Sequence, residues 1–399
     1  MKILKSIKEN KIFFVTFGVL MYTSFAYLVQ KEAIHYVDNY YYPLYAVNYN
    51  CGYCSRLLIG TIFTSVFGET LGPDIILKVL LCIYFGVCFA LSIFFNNYLK
   101  KTKYEAIGIY SVFIALLPSS LAFLRYLGTL DLFFIPFVLC SLWLVDKKGW
   151  RWIVPVLCVV CLCIYDLFVS TYLPLMAIVI FYQFAKKPNV PNFIYVAVSA
   201  VIVGIATVYF LVIGDSTMKM TADQMVDFAR NNLDAQGRNF DDLYFRSVFF
   251  WEVPDVEAYS GFIGYLRYNF NRFTLNDLSG LKNIIYFLIS NTLSALPFLY
   301  LIAKAFRKAE TPLRKLVYLC SFSPFVFMLG NLLLSTDTDR FSMHFFLVTV
   351  FLILFFIKEK DTAFSNSYDE SVAMIRENKA ALAVFGISIS RIVFSGVRF

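Results

Sequence analysis

The chain is written as a succession of apolar runs near the thickness of a bilayer, separated by short basic clusters, and few folds are open to such a pattern. The runs lie at roughly 12–30, 76–97, 107–124, 130–145, 152–165, 167–185, 193–213, 284–303, 316–334 and 341–357. Only 16% of the 399 residues are charged and 59% are hydrophobic, whereas a soluble domain carries about 25% charged residues to cover its surface. That excludes a soluble globular protein, and the scarcity of polar tracts excludes a disordered one. The expected architecture is all-α: a polytopic helical membrane protein with about ten transmembrane helices and additional external interfacial helices. Aromatics at 19% suit this class, because Tyr and Trp favour the two membrane interfaces.

Charge gives the orientation. With the N-terminus inside, the inner connections carry Lys100, Lys101 and Lys103, then Lys147, Lys148 and Arg151, then Lys186 and Lys187. Lys304, Arg307, Lys308, Arg314 and Lys315 follow, and Lys358 and Lys360 come after the last span. Outside the long 214–283 loop, the external connections carry only Lys31, Arg56, Arg125 and Arg340. The asymmetry runs one way at every turn, which places both termini in the cytoplasm. The net charge of +8 therefore records topology, and no nucleic-acid partner is expected. The first run, preceded by Lys2, Lys5, Lys8 and Lys11, lacks a small-residue cleavage site and reads as a retained anchor.

Four regions follow. Residues 1–213 form an N-terminal transmembrane module whose first external loop, 31–75, holds a Tyr-rich stretch and a short amphipathic helix from Ser55 to Phe67. Residues 214–283 form a large polar external loop, 284–357 the C-terminal transmembrane helices, and 358–399 a cytoplasmic tail. Ala380 to Phe394 reads as an interfacial helix or an eleventh span. The run from 152 to 185 is too long for one helix, and Asp166 and Pro174 divide it.

Ionisable residues near span ends are the candidates for chemistry. Asp38, Asp74, Asp131, Asp166, Asp337 and Asp339 fall on the external side, with Arg56, Arg125 and Arg340 near them in sequence. Such groups at a membrane face are costly unless they pair, meet water or perform a task. A cavity open to the outside and lined by carboxylates and arginines accounts for them; so would ordinary interfacial ion pairs. Asp38, in His35-Tyr36-Val37-Asp38-Asn39-Tyr40-Tyr41-Tyr42-Pro43, can take a proton from a sugar hydroxyl while Tyr41 and Tyr42 offer faces to the sugar.

A carboxylate in the first external loop, helical character in that loop, and Arg125-Tyr126-Leu127-Gly128-Thr129-Leu130-Asp131-Leu132 before the fourth span resemble the GT-C superfamily of integral-membrane glycosyltransferases. Gly52-Tyr53-Cys54-Ser55-Arg56-Leu57-Leu58-Ile59-Gly60 and Asp337-Thr338-Asp339-Arg340 resemble segments of bacterial surface-polysaccharide membrane proteins. The first loop lacks the paired Asp-Glu of protein mannosyltransferases, which argues against a protein acceptor. The resemblance implies a polyprenyl-phosphate-linked sugar donor, a glycan or lipid-linked acceptor, and a multi-pass place in the bacterial inner (plasma) membrane. It implies work at the external face in O-antigen, capsule or other surface-polysaccharide biosynthesis. Asp38 would be the catalytic base; Arg56, Arg125 and Arg340 would hold the donor phosphate, with Asp131, Asp337, Asp339, Tyr41 and Tyr42 binding substrate. A lipid-phosphate donor carries its own leaving group, so no cofactor is expected, although Asp337-Thr338-Asp339 matches a metal-clamp pattern and leaves a divalent metal open.

Two further functions compete. A Wzy-type polysaccharide polymerase or ligase has a similar layout; the Arg-x(10)-Gly pattern of some of them is absent. A lipid or solute transporter would be expected to show an internal repeat and acids buried mid-span, and neither is visible. Among the nine cysteines, only Cys51 and Cys54 fall outside apolar runs. A disulfide or two free interfacial thiols suits them better than a redox pair, which would need a second external couple. His35 and His344 stand alone in sequence and read as interface or packing residues.

Overall fold

A computed structural model describes residues 10–30, 41–68, 72–99, 124, 127–232, 249, 292, 295–334, 338–384 and 386. Among these every regular element is helical. The helices are α1 (Lys11–Gln30), α2 (Leu57–Phe67), α3 (Pro73–Leu99), α4 (Phe134–Leu144), α5 (Ile153–Ile164), α6 (Leu173–Lys186), α7 (Val190–Val208) and α8 (Ala222–Asn232). After these come α9 (295–308), α10 (Pro312–Cys320), α11 (Ser323–Leu334), α12 (Thr338–Lys358) and α13 (Thr362–Glu377). Short 3-10 turns at Tyr42–Tyr45, Leu130–Phe133 and Asp166–Val169 lead into or join them.

Proline sets several of these starts: Pro73, Pro174, Pro191, Pro312 and Pro324 each stand in a first turn, where the missing N–H costs nothing. Side-chain caps start others, with Asn189 accepting from Asn192 N at 3.0 Å, Thr311 from Arg314 N at 3.3 Å and Asp361 from Phe364 N at 3.0 Å. The division expected at Asp166 and Pro174 is present, since α5 ends at Ile164 and α6 begins at Leu173. The 316–334 run is two helices, α10 and α11, broken at Ser321 and Phe322. The 214–283 segment contributes α8; most of it, the 107–123 part of the third run and most of 380–394 lie outside the described residues.

Among the described residues, five helical stretches are long and apolar enough to cross a membrane: Lys11–Leu28, Pro73–Asn97, Val190–Ile213, Pro312–Asn331 and Arg340–Lys358. Leu130–Leu144, Trp150–Ile164 and Leu173–Lys186 are apolar but shorter, about 22 Å each at 1.5 Å per residue. α12 is the most enclosed element: Leu347, Val348, Phe351, Leu352, Phe355 and Phe356 are all buried. It packs against α3, α6, α11 and α13. Of the five long stretches Val190–Ile213, which holds α7, is the least enclosed, with Val201, Ile205, Val208 and Val212 exposed.

The bundle has two chemically different ends. At one, Lys358 donates to Leu142 O (2.8 Å) and pairs with Asp146 (3.3 Å), Lys186 pairs with Glu359 (2.7 Å), and Tyr182 donates to Asp361 (2.9 Å). At the other, Arg340 meets Asp131. α4 and α12 are therefore parallel, joined at like ends. α2 packs on the 42–47 segment by backbone contact: a β-carbon at Gly60 would fall 1.8 Å from Val47 O, so only glycine lets α2 approach this closely.

Candidate functional site

Two arginine–aspartate pairs share one tyrosine ring. Tyr165 ends α5, and the guanidinium carbons of Arg56 and Arg340 lie 4.6 Å and 5.4 Å from its ring centroid. Tyr165 is itself stacked on Phe134 at 6.5 Å, which fixes the ring from the α4 side.

Arg56 reaches this position through a strained backbone. Its φ of +77° lies in the left-handed region, which costs a non-glycine residue about 1–2 kcal/mol. Hydrogen bonds hold the turn: Arg56 N donates to Cys163 O (3.1 Å), Asp166 N donates to Ser55 Oγ (3.1 Å), and Arg56 Nη2 donates to Asp166 Oδ1 (2.9 Å) and Oδ2 (3.2 Å). Arg56 Nε adds a contact to Asp166 Oδ1 at 3.2 Å. The residue thus pins the 51–56 segment onto the end of α5 and presents its charge there.

Arg340, in the first turn of α12, makes the second pair. Its Nε and Nη2 donate to Asp131 Oδ2 and Oδ1, the latter at 2.7 Å, a two-point fork that fixes orientation as well as distance. Asp131 is fully buried and Arg340 nearly so. One turn along α12, His344 Nε2 lies 3.1 Å from Asp131 Oδ2, and His344 Nδ1 lies 2.9 Å from the Tyr172 hydroxyl. An ionised carboxylate only accepts, so Nε2 carries the hydrogen; in the neutral imidazole Nδ1 then accepts from Tyr172. Tyr45 closes the floor, donating to Gly128 O at 2.8 Å. Burial first, and then the Asp131 charge, push its phenol well above the usual tyrosine range, so it remains a neutral donor.

Of the residues singled out in sequence, Arg56, Asp131, Asp166 and Arg340 come together around Tyr165. Tyr42 is buried in the 3-10 turn packed against α2, and Tyr41 is half-buried before it. Asp38, Arg125 and Asp337 lie outside the described residues, as does the side chain of Asp339, whose backbone is in the first turn of α12. Cys51 and Cys54 are both buried. Among the described residues no three or more His, Cys, Asp or Glu side chains converge as metal ligands would.

Sequence reasoning did not assemble Tyr165, Asp166, Tyr172 and His344 into this site. The signal for His344 was its spacing: four residues after Arg340, it lies on the same face of α12. Asp166 stood out in sequence both as a span breaker and as one of the external acids, but its pairing with Arg56, 110 residues away, could not be read from spacing. No protein family, no curated protein and no solved structure matches this chain.

Proposed function

We propose that the chain is a ten-span membrane glycosyltransferase that moves a sugar from a polyprenyl-phosphate donor to a glycan or lipid-linked acceptor at the external face of a bacterial plasma membrane. One observation carries the reading: two guanidiniums are held around Tyr165 by two carboxylates, at the end of the bundle opposite Lys186 and Lys358. Guanidinium is the side chain best shaped to grip a phosphate by two points. Paired with aspartate, each stays oriented while no anion is bound.

In this reading Arg56 and Arg340 take the donor phosphate. The acceptor oxygen attacks the anomeric carbon, its proton passes to the Asp38 carboxylate, and the bond from the anomeric carbon to the phosphate oxygen breaks. Polyprenyl phosphate leaves with the electron pair, its growing charge met by the arginines. One direct displacement inverts the anomeric configuration. His344 and Tyr172 hold Asp131, and through it Arg340, in place.

The test uses purified full-length protein with lipid-linked sugars and separation of the glycan products. Arg340→Lys and Arg56→Lys keep the charge but lose the fork, and each should lower kcat/KM about 100-fold. Asp38→Asn should abolish transfer while the protein remains folded. Wild-type turnover in both arginine variants would sink the assignment. Products that grow by whole repeat units would identify a polymerase instead, and substrate crossing sealed vesicles without a new glycosidic bond would identify a transporter.

A further inference from the structure

The turn joining α4 to α5, at the end of the bundle opposite the arginine cluster, carries side chains that the proposed transfer does not use. Trp143, Trp150 and Trp152 are 55%, 62% and 39% exposed, and the whole chain has four tryptophans. Cations stand among them. Lys147 lies over the Trp143 ring. Arg151 is fixed rather than trailing in solvent: Nη1 donates to Asn192 Oδ1 at 2.6 Å, Nη2 to Pro191 O at 3.3 Å, and its guanidinium covers the Tyr195 ring at 4.6 Å. Tyr195 in turn donates to Arg151 O at 3.2 Å. Asn192 also donates to Lys187 O at 2.8 Å, which brings the turn after α6 beside the same spot. Val190, Phe193 and Ile194 on the first turns of α7 are exposed next to it.

The charges are unbalanced. Lys148 and Lys187 are exposed with no carboxylate partner among the described residues, and the local acid, Asp146, is committed to Lys358. Water alone does not favour exposed tryptophans beside exposed Val and Phe, and a hydrocarbon interior does not favour four cations. A headgroup layer satisfies both, with the indoles at the interface and the cations against phosphate.

We propose that Lys147, Lys148, Arg151 and Lys187 form a binding site for the phosphodiester headgroup of an anionic phospholipid, with the α4–α5 tryptophans and the start of α7 contacting its acyl chains. The site rests on the membrane placement of the chain and is independent of the transferase reading. Zwitterionic lipids bring a compensating cation and bind it less well.

The exposed indoles provide the readout. Full-length protein in neutral detergent is titrated with brominated phosphatidylglycerol or brominated phosphatidylcholine, and tryptophan fluorescence quenching is followed. Phosphatidylglycerol should quench at a several-fold lower mole fraction. K147Q and K148Q should each weaken that preference about fivefold, whereas K315Q, an exposed lysine on α10 at the same end, should leave it intact. Inorganic phosphate offers the same oxyanion without acyl chains and should not displace the lipid. Equal quenching by the two lipids, a preference unchanged in the K147Q/K148Q protein, or displacement by millimolar phosphate would each overturn the proposal. Because Lys147 and Lys148 reach outward from a turn, the substitutions leave the helix packing in place, and an unaltered melting profile verifies this.

Discussion

Replacing Asp131 by Asn is the sharpest structural test of the cluster. Asp131 is fully buried and accepts from Arg340 Nε, Arg340 Nη2 and His344 Nε2. Asparagine offers one acceptor oxygen where the carboxylate had two, and points an NH2 at groups that only donate. Arg340, 6% exposed, is then left without its counter-charge. Breaking a buried pair by removing one partner costs about 3–5 kcal/mol, against at most about 1 kcal/mol for an exposed pair. Unfolding of the purified protein in mixed micelles of rising SDS fraction, followed by circular dichroism, measures the difference. The second arm is the double variant Asp131→Asn/Arg340→Met, which removes both charges; it should recover most of the loss and give a coupling energy of about 2 kcal/mol or more. An Asp131→Asn protein within about 0.5 kcal/mol of wild type, or a double variant whose loss is the sum of the singles, would refute the claim that this pair is a buried, mutually dependent unit.

Gly60→Ala would set a β-carbon 1.8 Å from Val47 O and 2.9 Å from Leu44 O, so α2 must lift off the 42–47 segment; the expected loss is about 3 kcal/mol or more. Gly86→Ala, which meets nothing within 4 Å, should be neutral in the same unfolding assay. Glu370 on α13 accepts from Lys308 and Lys304, and these bonds hold its carboxyl below the usual 4.5. A depressed folded-state pKa contributes stability above the unfolded value and loses it as pH falls through the folded one. Proteolysis of α13 should therefore rise on acidification below about pH 4.5, respond to high salt because the pair is exposed, and show no such pH step in Glu370→Gln. Burial pushes the Cys51 thiol up from its usual range, and Cys54 is buried too, so maleimide should label neither at pH 7 until SDS opens the fold; prompt labelling of the folded protein would contradict this packing.

The helical class and most breaks between helices were legible because hydrophobic run length and proline position act locally. Asp166 and Pro174 divided α5 from α6 in sequence and do so in space. The break between α10 and α11 carried a local signal, Ser323-Pro324, that the continuous apolar run from 316 to 334 masked. In the site, Asp131 and Arg340 were recognisable singly, as charges that apolar neighbours make costly. Their pairing was not, because it spans 209 residues and depends on α4 and α12 lying parallel. Arg56 with Asp166 is the same case, and its left-handed backbone left no mark in sequence, where glycine or asparagine would have been the ordinary choice. His344 looked solitary because its partners, Asp131 and Tyr172, come from other elements.

The helix lengths explain why the cluster is compensated so fully. From Arg340 to Lys358 the α12 axis rises about 27 Å, and the apolar stretches Leu130–Leu144, Trp150–Ile164 and Leu173–Lys186 beside it span about 22 Å each. A hydrocarbon core is about 30 Å thick, so in the proposed arrangement both polar ends cannot stand clear of it. In that arrangement the exposed tryptophans and lysines of the α4–α5 turn would hold their end at the headgroups. The opposite end, with Arg56, Asp166, Arg340 and Asp131, therefore lies several ångströms below the level a full-length span would reach. A lone guanidinium at that depth is expensive, whereas one forked to a carboxylate and laid on a tyrosine face is tolerable. Under the proposed function, the same depression would give a lipid-borne phosphate a short route to the two guanidiniums. The compensation and the phosphate-binding role would then both follow, under that function, from one cause, the short helices.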